Sequence, residues 1–169
     1  LRAIVPGWYA MASVKWLRRI IVTNKPFNGF YQSLDYTYWD RSGALPTLAP
    51  LAQQQVKAEI ARPKQGEEIP ANSSYRIHGA AWSGEAVIEK VEISLDSGRS
   101  WNAARLLGDA IQNAWRLWEY EWPTPAKPGR HTIVARATDS RGDVQPTERS
   151  GDRGTYMINH LLPVEIEVR

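Results

Sequence analysis

Cysteine is absent from the 169 residues. That removes disulfides, thiolate metal ligands and thiol nucleophiles together. No apolar run is long enough to cross a bilayer as a helix. No signal-peptide pattern opens the chain, yet Leu1 to Val5 reads as the middle of a strand. An N-terminal part is therefore expected to precede it, and the missing leader says nothing about the whole protein. Charge of one sign is also scarce. The net charge is +3, with Lys and Arg scattered among Asp and Glu, which argues against the concentrated basic face that nucleic acid requires. His78, His131 and His160 show no metal-ligand spacing, so structural roles are expected for them. No Gly-x-Ser-x-Gly elbow supports a hydrolase triad. Gly98, Gly108, Gly142 and Gly151 sit in turns and form no phosphate loop.

What is present is apolar and aromatic. An apolar fraction of 43% with eight tryptophans suffices for a packed core, in one or two small domains. Residues 51–169 read as all-β. Val56–Ile60 alternates apolar and polar, as a half-buried strand does. Tyr75–Trp82 is a second strand, and Val91, Ile93 and Leu95 share a face of a third. Asp96-Ser97-Gly98 turns the chain into Trp101–Leu107. Trp115–Trp122 alternates, with Trp118, Tyr120 and Trp122 on one face. His131–Asp139 and Val164–Val168 complete about seven short strands. That spacing predicts an immunoglobulin-like β-sandwich, which without cysteine must rely on packing.

Residues 1–50 differ in character. Arg2–Val5 and Val14–Thr23 read as strands around a Pro6-Gly7 turn. Phe30–Trp39 is aromatic without clean periodicity, and Ser42–Pro50 reads as a linker. Within the stretch from Val5 to Leu17, Lys15 stands between Val14 and Trp16, with Arg18 and Arg19 close behind. One reading is a half-exposed strand with Lys15 snorkelling to water. The other is a backbone-plus-cation site for an anionic ligand, since a buried ammonium needs acceptors.

Val5-Pro6-Gly7-Trp8-Tyr9 followed by Met11-Ala12-Ser13-Val14-Lys15-Trp16-Leu17 resembles the end of the molybdopterin-binding domain in the sulfite oxidase family. Further pieces follow in the family's order: Ile93–Trp101, Trp115–Trp122, Ala135–Gly142 and Gln145-Pro146. The resemblance implies that residues 1–50 are the end of an α+β cofactor domain with its linker. It implies that 51–169 are the immunoglobulin-like dimerisation domain, hence a homodimer. It further implies a molybdenum-molybdopterin cofactor contacted by Arg2, Ser13, Val14 and Lys15. Animal sulfite oxidases often carry histidine at the position of Ser13. The whole protein would move an oxygen atom to a sulfur substrate and pass electrons to a haem protein, such as a c-type cytochrome, or another acceptor. Bacterial relatives are often exported, so a periplasmic location is the family expectation. The family's molybdenum is also held by a cysteine lying upstream of the Val-Lys-Trp-Leu segment. This chain has none, so alone it is expected to be inactive and to lose the cofactor.

Three alternatives are weaker or narrower. Ser94-x-Asp96-x-Gly98-x-Ser100-Trp101 has the form of an Asp-box, but a propeller repeats that motif blade after blade, and one copy reads as a structural turn. Glu67-Glu68 and Glu119/Glu121 lack the facing geometry of glycoside cleavage. A non-catalytic dimerising module remains, with Trp82 and the Trp118/Tyr120/Trp122 face as a candidate patch. Residues 1–40 carry unpaired strand edges, which predicts mobility or packing on a neighbouring chain.

Overall fold

In the computed structural model residues 1–169 are described, Thr155 by its backbone alone. Eleven strands form: β1 (Thr37–Asp40), β2 (Thr47–Pro50), β3 (Lys57–Arg62), β4 (Glu68–Ile69), β5 (Ser74–Trp82), β6 (Ile88–Ser94), β7 (Asn102–Ala103), β8 (Arg105–Leu106), β9 (Arg116–Pro123), β10 (Gly129–Asp139) and β11 (Val164–Val168). The last nine make two sheets, ordered β3-β5-β9-β8 and β4-β11-β10-β6-β7. All their pairings are antiparallel except the short β11–β4 ladder. This is the immunoglobulin-like sandwich that the alternating strands predict.

Alternation decides which residues meet between the sheets. Along β5, Ile77, Gly79 and Ala81 face inward and are buried. Along β9, Trp118 and Trp122 do the same, while Glu121 points outward. From the other sheet come Val91, Ile93, Ile133, Ala135, Ala137, Ile166 and Val168. Full burial of an isoleucine such as Ile93 contributes about 1.5–3 kcal/mol. Trp118 finds room because position 79 is glycine. A Cβ there would lie 2.7 Å from Trp118 Cζ2 and would run into Glu59 O.

In place of a disulfide, one amide ties the layers. Gln145 is 3% exposed. Its Oε1 accepts from Ala58 N of β3 at 2.7 Å and from Ala137 N of β10 at 3.3 Å. Its Nε2 donates to His160 O at 3.3 Å.

Several local expectations change. The suspected surface patch on β9 is core: Trp118 is fully buried and Trp122 nearly so. Outer positions on that strand are Leu117, Glu119 and Glu121, and exposed Trp115 stacks on Trp82 with centroids 5.1 Å apart. The segment 42–50 is more than a linker, because Thr47–Pro50 pairs with Thr37–Asp40 as a hairpin. The strand expected over 14–23 does not form. Among the described residues its ladder contact is an isolated bridge between Arg2 and Lys15, and Trp16 turns away at φ 53°. No neighbouring strand offers residues 17–23 a ladder, and Ile20, Ile21 and Val22 stay exposed.

Candidate functional site

Arg2, Ser13, Val14 and Lys15 come together on one loop. The chain runs out through Val5-Pro6, turns at Gly7 (φ +75°), passes a single turn of 3-10 helix over Ala10–Ala12 and returns beside its start. Ala3 N donates to Val14 O at 2.9 Å, and Leu17 N to Leu1 O at 3.2 Å. Arg2 Nε donates to Ser13 O at 3.0 Å. Val5 N donates to Ser13 Oγ at 3.3 Å. The backbone of Val14 is spent inside the loop, since its N–H also reaches Ala12 O at 3.1 Å. Three groups remain for a ligand: the outer guanidinium nitrogens of Arg2, the Lys15 ammonium and the Ser13 hydroxyl proton. Val14 adds an apolar side chain, 52% exposed.

The electrostatics are one-sided. Residues 1–34 contain Arg2, Lys15, Arg18, Arg19 and Lys25 and no acidic residue; the first is Asp35. Five of the 21 basic and none of the 18 acidic residues lie there, which leaves 16 against 18 from residue 35 onward, a net of −2. Basic residues are therefore interspersed with acidic ones only beyond residue 34. Among the described residues none of these five cations forms an ion pair, whereas nine cations of the later chain do. Beside the loop lies an open groove of about 620 Å³ lined by Val14, Trp16, Leu17, Arg18, Arg19 and Ile21. Unpaired cations, a hydroxyl and an apolar wall suit an anionic organic cofactor with hydrogen-bonding edges. They do not suit a bare metal ion: no cluster of three or more His, Asp or Glu exists among the described residues, and no thiolate is available.

The loop rests on the sandwich. Trp8 bridges Gln53, Tyr9 N donates to Ala52 O at 3.0 Å, and Gln54 N donates to Gly7 O at 2.8 Å. Gln55 N reaches Tyr9 Oη at 3.4 Å. Burial pushes the Tyr9 phenol above its ordinary pKa, against the lowering effects of that N–H and of the Arg153 charge. These junction residues were not among the candidates read from sequence. Pro6-Gly7 was a visible turn signal, but what it packs on depends on residues more than 40 positions away.

The other constellations are structural. Asp96 accepts from Ser100 N at 2.9 Å, Ser100 Oγ at 2.8 Å and Ser94 Oγ at 2.7 Å, which closes the turn before Trp101. Glu67 is taken up by Arg62, Tyr75 Oη and Lys64 N, and Glu119 by Arg105 and Arg76. His131 meets the Trp122 ring edge-on, centroids 5.3 Å apart.

Known proteins place this arrangement. Residues 50–168 match the family model described as the Mo-co oxidoreductase dimerisation domain. Residues 1–31 match the oxidoreductase molybdopterin-binding domain. Sulfite oxidase of Gallus gallus is 35% identical over 156 residues, covering 86% of this chain and 34% of that protein. An Aspergillus niger nitrate reductase (NADPH) is 27% identical over 190 residues, covering 88% of this chain and 21% of that protein. The sulfane dehydrogenase SoxCD of Paracoccus pantotrophus superposes with a TM-score of 0.80 at 27% identity, over 96% of this chain and 42% of that one. The chain thus spans about a third of the length of the sulfite oxidase it matches. A cationic loop ending one domain model, set on a sandwich that fills the other, puts the chain in the sulfite oxidase-like family of molybdopterin oxidoreductases, whose dimerisation domain it carries.

Proposed function

We propose that this chain is the dimerisation portion of a molybdenum oxidoreductase acting on a sulfur substrate, and that its first residues complete the cofactor pocket. The observation that carries the reading is the unpaired cationic loop of Arg2 and Lys15 packed against a dimerisation-domain sandwich. In this reading residues 1–50 close the cofactor domain and 51–169 join two copies. Arg2 and Lys15 neutralise the anionic side of the cofactor, Ser13 donates its hydroxyl proton to it, and Val14 packs beside it. When bound, the cofactor supplies oxygen-atom exchange and electron storage, and the protein holds and orients it. A haem protein or another acceptor would take up the electrons. The isolated chain is inactive and loses the cofactor, since the ligating thiolate must come from outside it.

The test compares the whole protein with this chain, both purified from molybdenum-replete cells. The expected result is about one molybdenum per chain in the whole protein and almost none in the fragment. Oxidation of sulfite with an artificial electron acceptor should follow molybdenum content. If nitrate is reduced instead and sulfite is untouched, the sulfur assignment fails. A metal-free whole protein that still dimerises would leave only a non-catalytic interaction module.

A further inference from the structure

The loop and the sandwich meet at two glycines. Gly7 crosses the peptide of Gly84, and a Cβ on Gly7 would fall well inside contact with Gly84 O and 2.8 Å from Asn113 Oδ1. Gly84 in turn has no room toward the chain leaving the loop. A Cβ on it would lie 2.8 Å from Gln54 O and 3.0 Å from Gln53 Cβ. Between these crossings Gln54 N donates to Gly7 O at 2.8 Å. Three backbone segments therefore stack at a separation that only glycine permits.

The middle segment is anchored from within the sandwich. Ser83, next to Gly84, donates its hydroxyl to Asp139 Oδ2 at 2.7 Å. Asp139 ends β10 and is 2% exposed. Its other oxygen accepts from Arg141 N at 3.0 Å and Asp143 N at 3.1 Å. A carboxylate so held cannot shift without breaking charge-assisted bonds. From Gly7 the backbone leads by two residues to Val5, whose N–H holds Ser13 Oγ. The connection thus runs from the sandwich core at Asp139, through Ser83, Gly84 and Gly7, to the loop that carries Arg2, Ser13 and Lys15.

We propose that Gly7, Gly84 and the Ser83–Asp139 bond are positioning elements through which the dimerisation domain sets the geometry of the cofactor loop. They touch no cofactor themselves. Their disturbance should release the cofactor while leaving the sandwich folded and its oligomeric state unchanged. This rests on the reading of Arg2, Ser13, Val14 and Lys15 as cofactor contacts.

The test uses the whole protein and its Gly7→Ala, Gly84→Ala and Ser83→Ala variants. Molybdenum per chain, pterin fluorescence after denaturation, solution mass and the melting midpoint are measured for each. Gly129→Ala and Gly66→Ala serve as controls, since a Cβ at either meets nothing within 4 Å. Gly66 also has φ +72°, so its variant strains the sandwich without touching the loop or the turn that holds Asp139. The expected result is about a tenfold weaker cofactor retention for Gly7→Ala and Gly84→Ala, at unchanged solution mass. Ser83→Ala should show a smaller loss, and it decides the matter if the glycine variants do not accumulate. Ser83→Thr, which keeps the hydroxyl, should restore retention. Full retention in Ser83→Ala together with any glycine variant that accumulates overturns the proposal. So does an equal loss in Gly66→Ala, which would make the effect one of general stability. A wild-type protein lacking both molybdenum and pterin overturns the functional reading beneath it, a distinguishable failure.

Discussion

Arg136 sits over the ring of Trp101, 4.0 Å from its centroid, while its Nε donates to Glu92 Oε2 at 2.8 Å. One guanidinium thus ties β10 to β6 and covers the tryptophan that follows the Ser94–Ser100 turn. Arg136→Ala should lower the unfolding free energy by about 1–3 kcal/mol, combining a cation–π contact with a charge-assisted hydrogen bond. Arg136→Lys should recover only part of it, since an ammonium lacks the planar fork. Urea denaturation at neutral pH reads the difference. Equal midpoints for Arg136→Lys and the wild type would show that the planar contact contributes nothing.

Asp96 makes the same region sensitive to acid. The N–H of Ser100, then the hydroxyls of Ser94 and Ser100, hold its carboxyl down to about 2 from an ordinary 3.8. A depressed carboxylate stabilises the fold fully above its unfolded value, and that contribution fades as pH falls through the folded value. Asp96→Asn should therefore flatten stability against pH between about 4 and 2. Acid titration followed by tryptophan fluorescence checks it. Superimposable wild-type and variant curves would contradict the assignment.

Gly79 is a steric requirement. Gly79→Ala places a methyl against Glu59 O of the neighbouring strand and against Trp118 Cζ2. A loss of about 1–3 kcal/mol is expected from overpacking, seen as a lower melting midpoint. An unchanged midpoint would mean that β3 yields freely.

Gln145→Ala leaves the N–H groups of Ala58 and Ala137 without their side-chain acceptor, at a cost of about 1–3 kcal/mol. Gln145→Glu separates acceptor from donor. The carboxylate can still accept from Ala58 N but faces His160 O without a proton to give. Burial raises the pKa of such a group, so the variant's stability should be greatest at low pH and fall as pH rises through that value. Parallel melting curves for Glu and Gln across pH 4 to about 8 would count against this account.

For the loop, Lys15→Gln and Arg2→Gln in the whole protein should each weaken cofactor retention about tenfold. Lys15→Arg should keep most of it. Retention after dialysis, measured as molybdenum per chain, separates these outcomes. Normal retention in the Arg2/Lys15 double variant would remove both residues from the site.

Much of the sandwich was legible in sequence because period-two alternation is local. Val91 and Ile93, or Trp118 and Trp122, announce a shared face before any partner is known. Which face turns inward is not local, so Trp118 and Trp122 could be read as a surface patch until β5 and the second sheet covered them. The β1–β2 hairpin was hidden by Pro46 and Pro50, which read as linker punctuation. Val14–Thr23 failed the other way. Its composition favours a strand, but strands exist only in pairs, and among the described residues 18–23 find no strand to pair with. The proposed cofactor contacts were reached through resemblance, whereas the run of cations without acids up to Asp35 stood in the sequence itself. The glycine crossing was unreadable, since it joins residue 7 to residue 84.

The bond that closes the sandwich has a consequence for its redox chemistry. A disulfide can be reduced, and a carboxylate or imidazole changes charge with the local proton supply. The amide of Gln145, bridging Ala58 and Ala137, does neither. The tie between the two sheets therefore has no redox-labile bond, and it should hold equally under strong reductant and in air.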